Sequence, residues 1–426
     1  MSGRAVKISV MLLSLSVLVG CMVNPVTGRQ ELSLISSQQE VAIGEQQYQA
    51  GQQSQGGLYY IDPAVQGYVA EVGRKLARVS DRPDLPYEFV VLNNSGANAW
   101  ALPGGKIAIN RGLLTHLEDE SQLAAVLAHE IVHAAARHGA TQMTRGMLAG
   151  IGLQALGSAT NNNPLGGMVG QLGTAAWMSR YGRSAELESD AYGMDYMVRA
   201  GYDPQGAVAV QAKFVELSRG RQHSALDALF ASHPPSQERV EANRAKATQY
   251  PPGGVRNAER YKRMTGAIRR DQPAYEAQTK AMKALQEKAP TRALPLLDES
   301  IRLQPAEGQF WELRGHAWAM QGKPEKAIGD YSMAVKKNPH FFSHVLARGI
   351  HHFEQSSYAS AESDLLRSRE LLPTAHSSLY LGDIVAARGD LKQAAVYYQE
   401  AAGAPGELGR KARERLQGLQ SQGAAR

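Results

Sequence analysis

The residues His129-Glu130-Ile131-Val132-His133 have the types and spacing to activate water on a metal. On an α-helix, residues four apart are separated by about 400°, or about 40° net, so both imidazoles leave one face and can share a zinc ion. Glu130 lies beside that face, where its carboxylate can take a proton from a water attacking a polarised peptide carbonyl. A catalytic zinc normally has three protein ligands and an open position, so a third ligand is required. A histidine ten residues after His129 would supply it in the metzincin pattern, but that position is Gly139. His138 stands about 180° around the same helix from His129 and is read as a structural residue pointing away. Glu186 and Asp190, in Arg183-Ser184-Ala185-Glu186-Leu187-Glu188-Ser189-Asp190, share a helix face. One of them can ligate zinc while the other accepts the second N–H of a ligand histidine and orients it. Glu188, about 200° from Glu186 on that helix, is read as a solvated charge.

These residues need elements to hold them. Leu123, Val126 and Leu127 precede the motif at helical spacing, which predicts an amphipathic helix over 119–138, and a second helix covers 183–200. Residues 36–50 read as a polar helix. Asp62-Pro63 opens another helix, with Val65, Tyr68, Val69, Val72 and Leu76 on one face. Residues 86–93 (PYEFVVLN) read as a strand, and 97–110 (ANAWALPGGKIAIN) as strands punctuated by glycine. The segment 139–180 is rich in Gly and Met with almost no charge. It reads either as a mobile cover beside the cleft or as a helical hairpin packed on the core.

From residue 275 the sequence repeats itself. Gly315, Gly349 and Gly382 are spaced 34 and 33 apart, Ala327, Ala361 and Ala394 keep the same spacing, and Pro339, Pro373 and Pro405 follow in step. Trp311, Trp318, Tyr331 and Tyr398 take the large-residue positions. This is the signature of tetratricopeptide repeats (TPRs), where small residues let paired helices cross closely. About four repeats are expected, the first (274–305) degenerate, with Pro295 inside a helix.

HExxH followed at a distance by ExxxD, after a strand reading Asn98-Ala99-Trp100-Ala101-Leu102-Pro103-Gly104-Gly105, resembles the zinc metallopeptidases related to CAAX prenyl endopeptidase. The likeness is to their soluble periplasmic branch, which carries C-terminal TPRs. It covers about residues 24–245 by motif and 275–405 by architecture. It implies an α+β, mostly helical chain: a zincin-like metallopeptidase domain with a small sheet, followed by an α-solenoid of TPR helix pairs. It also implies one Zn2+ per chain held by His129, His133 and Glu186, with Glu130 as general base and Asp190 behind the ligands. The strand residues Asn98, Ala99, Trp100 and Ala101 are expected to pair with substrate backbone. In Ser232-His233-Pro234-Pro235, the resemblance implies that His233 either caps the open zinc position or bonds the reacting carbonyl. Arg239 is either a further site residue or a surface charge. Gly182 and Ser189 depart from the family's usual Ser and Ala without removing a ligand.

The rest of the chain bounds where this chemistry takes place. Among 426 residues, 43% are hydrophobic and 20% charged, and the net charge is +6; this is ordinary globular composition and argues against nucleic acid as a partner. Residues 1–20 read as a lipoprotein signal peptide. Arg4 and Lys7 precede an apolar run of 13 residues (8–20), too short to span a bilayer. The chain's one cysteine, Cys21, closes a lipobox-like Leu18-Val19-Gly20-Cys21 and is the expected lipidation site. Met22 rather than Asp follows it, and resemblance to enterobacterial lipoproteins then implies the outer membrane over the inner. The expected organisation is 21–60 as an anchor-proximal segment with the first helix, 61–248 as the peptidase domain, 249–274 as a linker, 275–418 as the TPR domain and 419–426 as a flexible tail. The expected function is a lipid-anchored periplasmic zinc endopeptidase in quality control or assembly of outer-membrane proteins. Its repeats would recruit unfolded or stalled outer-membrane proteins, or their assembly machinery. The alternatives are a TPR scaffold or chaperone with a largely latent protease, and a processing peptidase dedicated to one substrate.

Overall fold

The computed structural model describes residues 21–156, 181–219 and 226–424. The signal peptide expected at 1–20 and residues 157–180 of the Gly/Met segment lie outside the described residues. The fold is α+β and mostly helical. The chain divides into two units, Met1–Gln52 with Asp62–Ile268, and Gln53–Ile61 with Arg269–Arg426.

The first unit begins with an antiparallel pair, β1 (Cys21–Val23) and β2 (Gln30–Leu32), followed by α1 (Ser37–Ser54) and α2 (Pro63–Ala77). Asp62 caps α2 by accepting from the Ala64 amide at 3.0 Å, and the expected face Val65, Tyr68, Val69, Val72 and Leu76 is buried. A three-stranded sheet comes next: β3 (Glu88–Leu92), β4 (Ala99–Leu102) and β5 (Lys106–Asn110), in the order β3-β5-β4. β5 pairs in parallel with β3 and antiparallel with β4, so β4 is an edge strand. The β4–β5 turn uses Gly104 and Gly105 at φ 79° and 87°, a region that favours glycine. Trp100 and Leu102 point into a core cluster with Tyr48, Leu92 and Ala108, and the pleat turns Ala99 and Ala101 to the opposite face.

α3 (Arg111–His116) leads to α4 (Glu120–Ala135). Asp119 caps α4 by accepting from the Gln122 amide at 3.0 Å. The helix is apolar nearly all round and correspondingly buried, with Leu123, Leu127, Ile131 and Val132 fully covered. The helix expected over 119–138 therefore ends early. Arg137 takes φ 63°, and a new helix, α5 (His138–Leu156), departs from there. In α5, Met143 and Met147 pack on Ile35 and Ala140. Four further helices follow among the described residues: α6 (Arg183–Arg199), α7 (Gln205–Arg219), α8 (Asp227–Ser232) and α9 (Gln237–Ala247). α6 lies close along α4 because position 193 is glycine; a Cβ there would stand 3.2 Å from the His129 nitrogen.

Residues 249–274 are not a linker. Gly253 and Gly254 make a turn at φ 107° and 117°, and Val255 bridges to Tyr202. Arg256 pairs with Asp119 at 2.8 Å. In α10 (Ala258–Met264), Tyr261 is fully buried and donates to the Leu114 carbonyl at 2.6 Å. The Pro-Pro-Gly-Gly composition marks a turn, and the aromatic behind it supplies the packing.

The second unit is built of helices: α11 (Gly266–Gln286), α12 (Pro290–Leu303), α13 (Gly308–Met320), α14 (Pro324–Lys337), α15 (Phe342–Glu354), α16 (Tyr358–Leu371), α17 (Ala375–Ala387), α18 (Leu391–Ala402) and α19 (Gly406–Ala424). The repeat markers sit where these helices cross. A Cβ on Gly315 would stand 2.7 Å from the Tyr331 ring and one on Gly382 2.5 Å from the Tyr398 ring. At the equivalent crossing Leu365 replaces the tyrosine, and a Cβ on Gly349 would stand 3.2 Å from it. Ala293, Ala327, Ala361 and Ala394 are fully buried. Pro295 lies inside α12, whose neighbours Leu294 and Leu297 pack against Ala281, Ala284 and Ala317; this burial sustains the helix through the proline. Two expected boundaries shift. Residues 53–61 belong to this unit, with Gln53 accepting from the Phe342 amide at 2.9 Å and donating to the His340 carbonyl at 2.8 Å. Residues 419–424, expected in a flexible tail, continue α19, with Leu416 and Leu419 on the Leu379–Tyr398 cluster.

Candidate metal centre

Four buried donors converge in the first unit: His129 and His133 from α4, Glu186 from α6, and His233, the residue that ends α8. His133 Nε2 is 3.0 Å from His129 Nε2 and 3.4 Å from Glu186 Oε1. His233 Nδ1 is 3.3 Å from His129 Nε2 and 3.1 Å from Glu186 Oε1, and His129 Nε2 is 3.6 Å from Glu186 Oε2. Ligands about 2.0–2.1 Å from a tetrahedral zinc stand about 3.3–3.4 Å from one another, so these separations fit one ion.

The hydrogen bonding points the same way. His129 Nδ1 lies 3.0 Å from Asp190 Oδ1. The carboxylate can only accept, so the proton sits on Nδ1 and the Nε2 lone pair faces the other donors. Burial drives the His133 imidazole well below its ordinary range, leaving it neutral, as a metal ligand must be. Burial alone would raise Glu186, but His233 and His129 outweigh it and hold the carboxyl well below the usual range.

Glu130 is 2% exposed, and its Oε2 has no hydrogen-bond partner. Burial pushes its carboxyl up, against the pull of His233 and His129, which suits a group that takes and returns a proton. His233 Nε2 lies 3.5 Å from Glu130 Oε1. His233 itself is pushed up, because Glu130 and Glu186 outweigh its burial. Arg239, expected as either a site residue or a surface charge, is 4% exposed. It grips Asp190 through Nε and Nη2, both at 2.7 Å, and reaches Glu186 Oε2 at 2.8 Å. Burial raises Asp190, but this two-point contact with Arg239 outweighs it and lowers the carboxyl.

Ala99 of the edge strand lines the cavity that holds His129, Glu130, His233 and Arg239. Trp100 does not; its ring is edge-on to Tyr48 in the core, with centroids 6.4 Å apart.

Two readings are corrected. His138 does not point away, because the helix that would carry it round has already ended. Its Nδ1 lies 2.9 Å from His133 Nδ1. Glu188 is not solvated; its side chain is 16% exposed and its Oε1 is 3.1 Å from His138 Nε2. Sequence reasoning also missed Tyr181, whose ring stacks on His133 at 3.9 Å. A tyrosine ahead of a glycine carries no signal of its own, whereas the His/Glu pair behind His133 was hidden by an assumed continuous helix.

Residues 63–247 match Peptidase family M48, and residues 279–340 and 346–407 match Tetratricopeptide repeat. The chain is similar to the beta-barrel assembly-enhancing protease of Escherichia coli (strain K12), 31% identical over 230 residues that make up 49% of this chain and 46% of the relative. It is 32% identical over 207 residues to the putative beta-barrel assembly-enhancing protease of Vibrio cholerae, covering 45% of this chain and 41% of the relative. It is also 32% identical over 175 residues to the mitochondrial metalloendopeptidase OMA1 of Schizosaccharomyces pombe, covering 41% and 50%. The matches thus span half or less of each relative's length. The chain carries a domain of peptidase family M48, a zinc-dependent family, over residues 63–247, with tetratricopeptide repeats behind it.

Proposed function

We propose that this chain is a zinc-dependent endopeptidase of the bacterial periplasm, anchored to the outer membrane through Cys21 and acting in quality control or assembly of outer-membrane proteins. The observation that carries the reading is the buried convergence of His129, His133, Glu186 and His233, with Glu130 beside it presenting an Oε2 that has no hydrogen-bond partner. His129, His133 and Glu186 would hold the ion, which when bound supplies the positive charge that acidifies water and polarises a carbonyl. Glu130 takes the proton of the attacking water and passes it to the leaving amine. Asp190 and Arg239 fix the ligands from behind. The β4 edge, through Ala99, offers the peptide a strand to pair with. The helix pairs of the second unit would recruit unfolded or stalled outer-membrane proteins or their assembly machinery, in keeping with the name of the E. coli relative.

His233 is read as a removable fourth donor. Its Nδ1 is 3.1 Å from Glu186 Oε1 and 3.3 Å from His129 Nε2, which is where water must enter, and Pro234 stiffens the chain after it. The resting enzyme is then latent. The test is casein cleavage by wild type, Glu130→Gln and His233→Ala. Glu130→Gln should lose about 10²–10⁴ in rate through loss of the proton acceptor, and His233→Ala should cleave faster than wild type. Equal cleavage in Glu130→Gln would reject the base. A fall of about 10²–10³ in His233→Ala would make His233 a donor to the reacting carbonyl instead of a cap.

A further inference from the structure

The contacts behind His133 extend well beyond the donor cluster. Had α4 continued, His138 would stand about 140° around the helix from His133. The reversal at Arg137, φ 63°, brings it back onto the ligand's ring. A non-glycine residue in this region is strained by roughly 1–3 kcal/mol and persists only where its surroundings fix it. The Arg137 guanidinium is buried, with Nε 2.9 Å from Glu40 Oε2 and Nη2 donating to the Ile35 carbonyl. Glu40 on α1 is fully buried and also pairs with Arg82 at 3.3 Å. The N-terminal helix therefore holds the strained residue by its side chain.

The protons along the line are determined at its far end. Glu188 Oε1 can only accept, so His138 carries its proton on Nε2, 3.1 Å away. Its Nδ1 is then a lone pair, and the hydrogen bond at 2.9 Å requires the proton on His133 Nδ1. His133 is left with its Nε2 lone pair facing His129 and Glu186, the arrangement an ion needs.

We propose that Glu40, Arg137, His138 and Glu188 form a positioning line that fixes the tautomer and ring orientation of His133. This rests on the reading of His133 as a zinc ligand. None of the four belongs to the donor cluster. Glu188 and His138 set the proton, and Glu40 holds the Arg137 reversal that puts His138 in place.

The test is zinc affinity of the purified chain, read by competition with a chromophoric chelator, with far-UV circular dichroism to establish folding. His138→Ala should bind zinc about 10–100-fold more weakly. His138→Asn keeps an oxygen acceptor for His133 Nδ1–H and should recover part of that loss, a rescue that simple loss of packing would not give. Arg137→Gly adopts the left-handed φ without strain and should bind more tightly than Arg137→Ala. Wild-type affinity in His138→Ala, with zinc lost in His133→Ala, would overturn the line and leave the ligand reading standing. Wild-type affinity in Arg137→Ala would remove Glu40 and Arg137 from it. If His133→Ala binds zinc like wild type, the ligand reading fails first, and the positioning line with it.

Discussion

Each unit buries a glutamate against histidines, and the two clusters behave differently. In the repeat unit Glu312 takes one hydrogen bond on each oxygen, from Ser343 Oγ at 2.7 Å and from His344 Nδ1. His316 stands 3.6 Å off. Donor meets acceptor at each carboxylate oxygen, so Glu312 itself needs no further atom. In the peptidase unit, two imidazole Nε2 atoms face each other at 3.0 Å with a carboxylate against both, while Asp190 and His138 hold the protons on their other nitrogens. Converging lone pairs repel unless a cation lies among them. Residue composition alone would not separate the clusters; the direction of the lone pairs does.

Breaking the Glu312 cluster should have the larger effect on stability. Glu312→Ala leaves His344 buried without its partner and should cost the repeat unit about 3–5 kcal/mol, read as faster hydrogen exchange across residues 308–402. The same pair sets a pH dependence. Burial would raise the Glu312 carboxyl, but the neighbouring His316 and His344 outweigh it and hold the carboxyl well below its usual 4.5. A carboxyl depressed on folding contributes stability that is full above that value and is lost as pH falls below it. The urea midpoint of the repeat unit should drop between pH 5 and pH 3, and drop less in Glu312→Gln. A smaller effect is expected at the helix crossings. Gly382→Ala forces a methyl group against the Tyr398 ring, 2.5 Å away, and should cost about 1–3 kcal/mol. Exchange rates unchanged from wild type would mean that Tyr398 moves aside freely.

The two units were also unequally legible in the sequence. The repeats announce themselves because each glycine meets its large partner at a fixed register, and Ala293, Ala327, Ala361 and Ala394 all proved buried. The HExxH helix and the Glu186/Asp190 face could be read because helical spacing alone places them. What failed was whatever depended on a helix end. Arg137 carries no sequence mark of a left-handed residue, so the continuous helix assumed over 119–138 sent His138 and Glu188 to the wrong sides. The burial of Arg239 against Asp190 is likewise a long-range contact that no local pattern encodes. Pro251-Pro252-Gly253-Gly254 misled in the opposite sense, since a turn signal was taken for a linker.

Converging lone pairs call for a cation, and zinc is the ion proposed to lie among them. Metal content of the purified chain by inductively coupled plasma mass spectrometry, in wild type and Glu186→Ala, tests it most directly. One zinc per wild-type chain is expected, with loss of that zinc in Glu186→Ala, because His129 and His133 would then have only the removable donor His233 in place of the anionic third ligand. Full zinc occupancy in folded Glu186→Ala would contradict it.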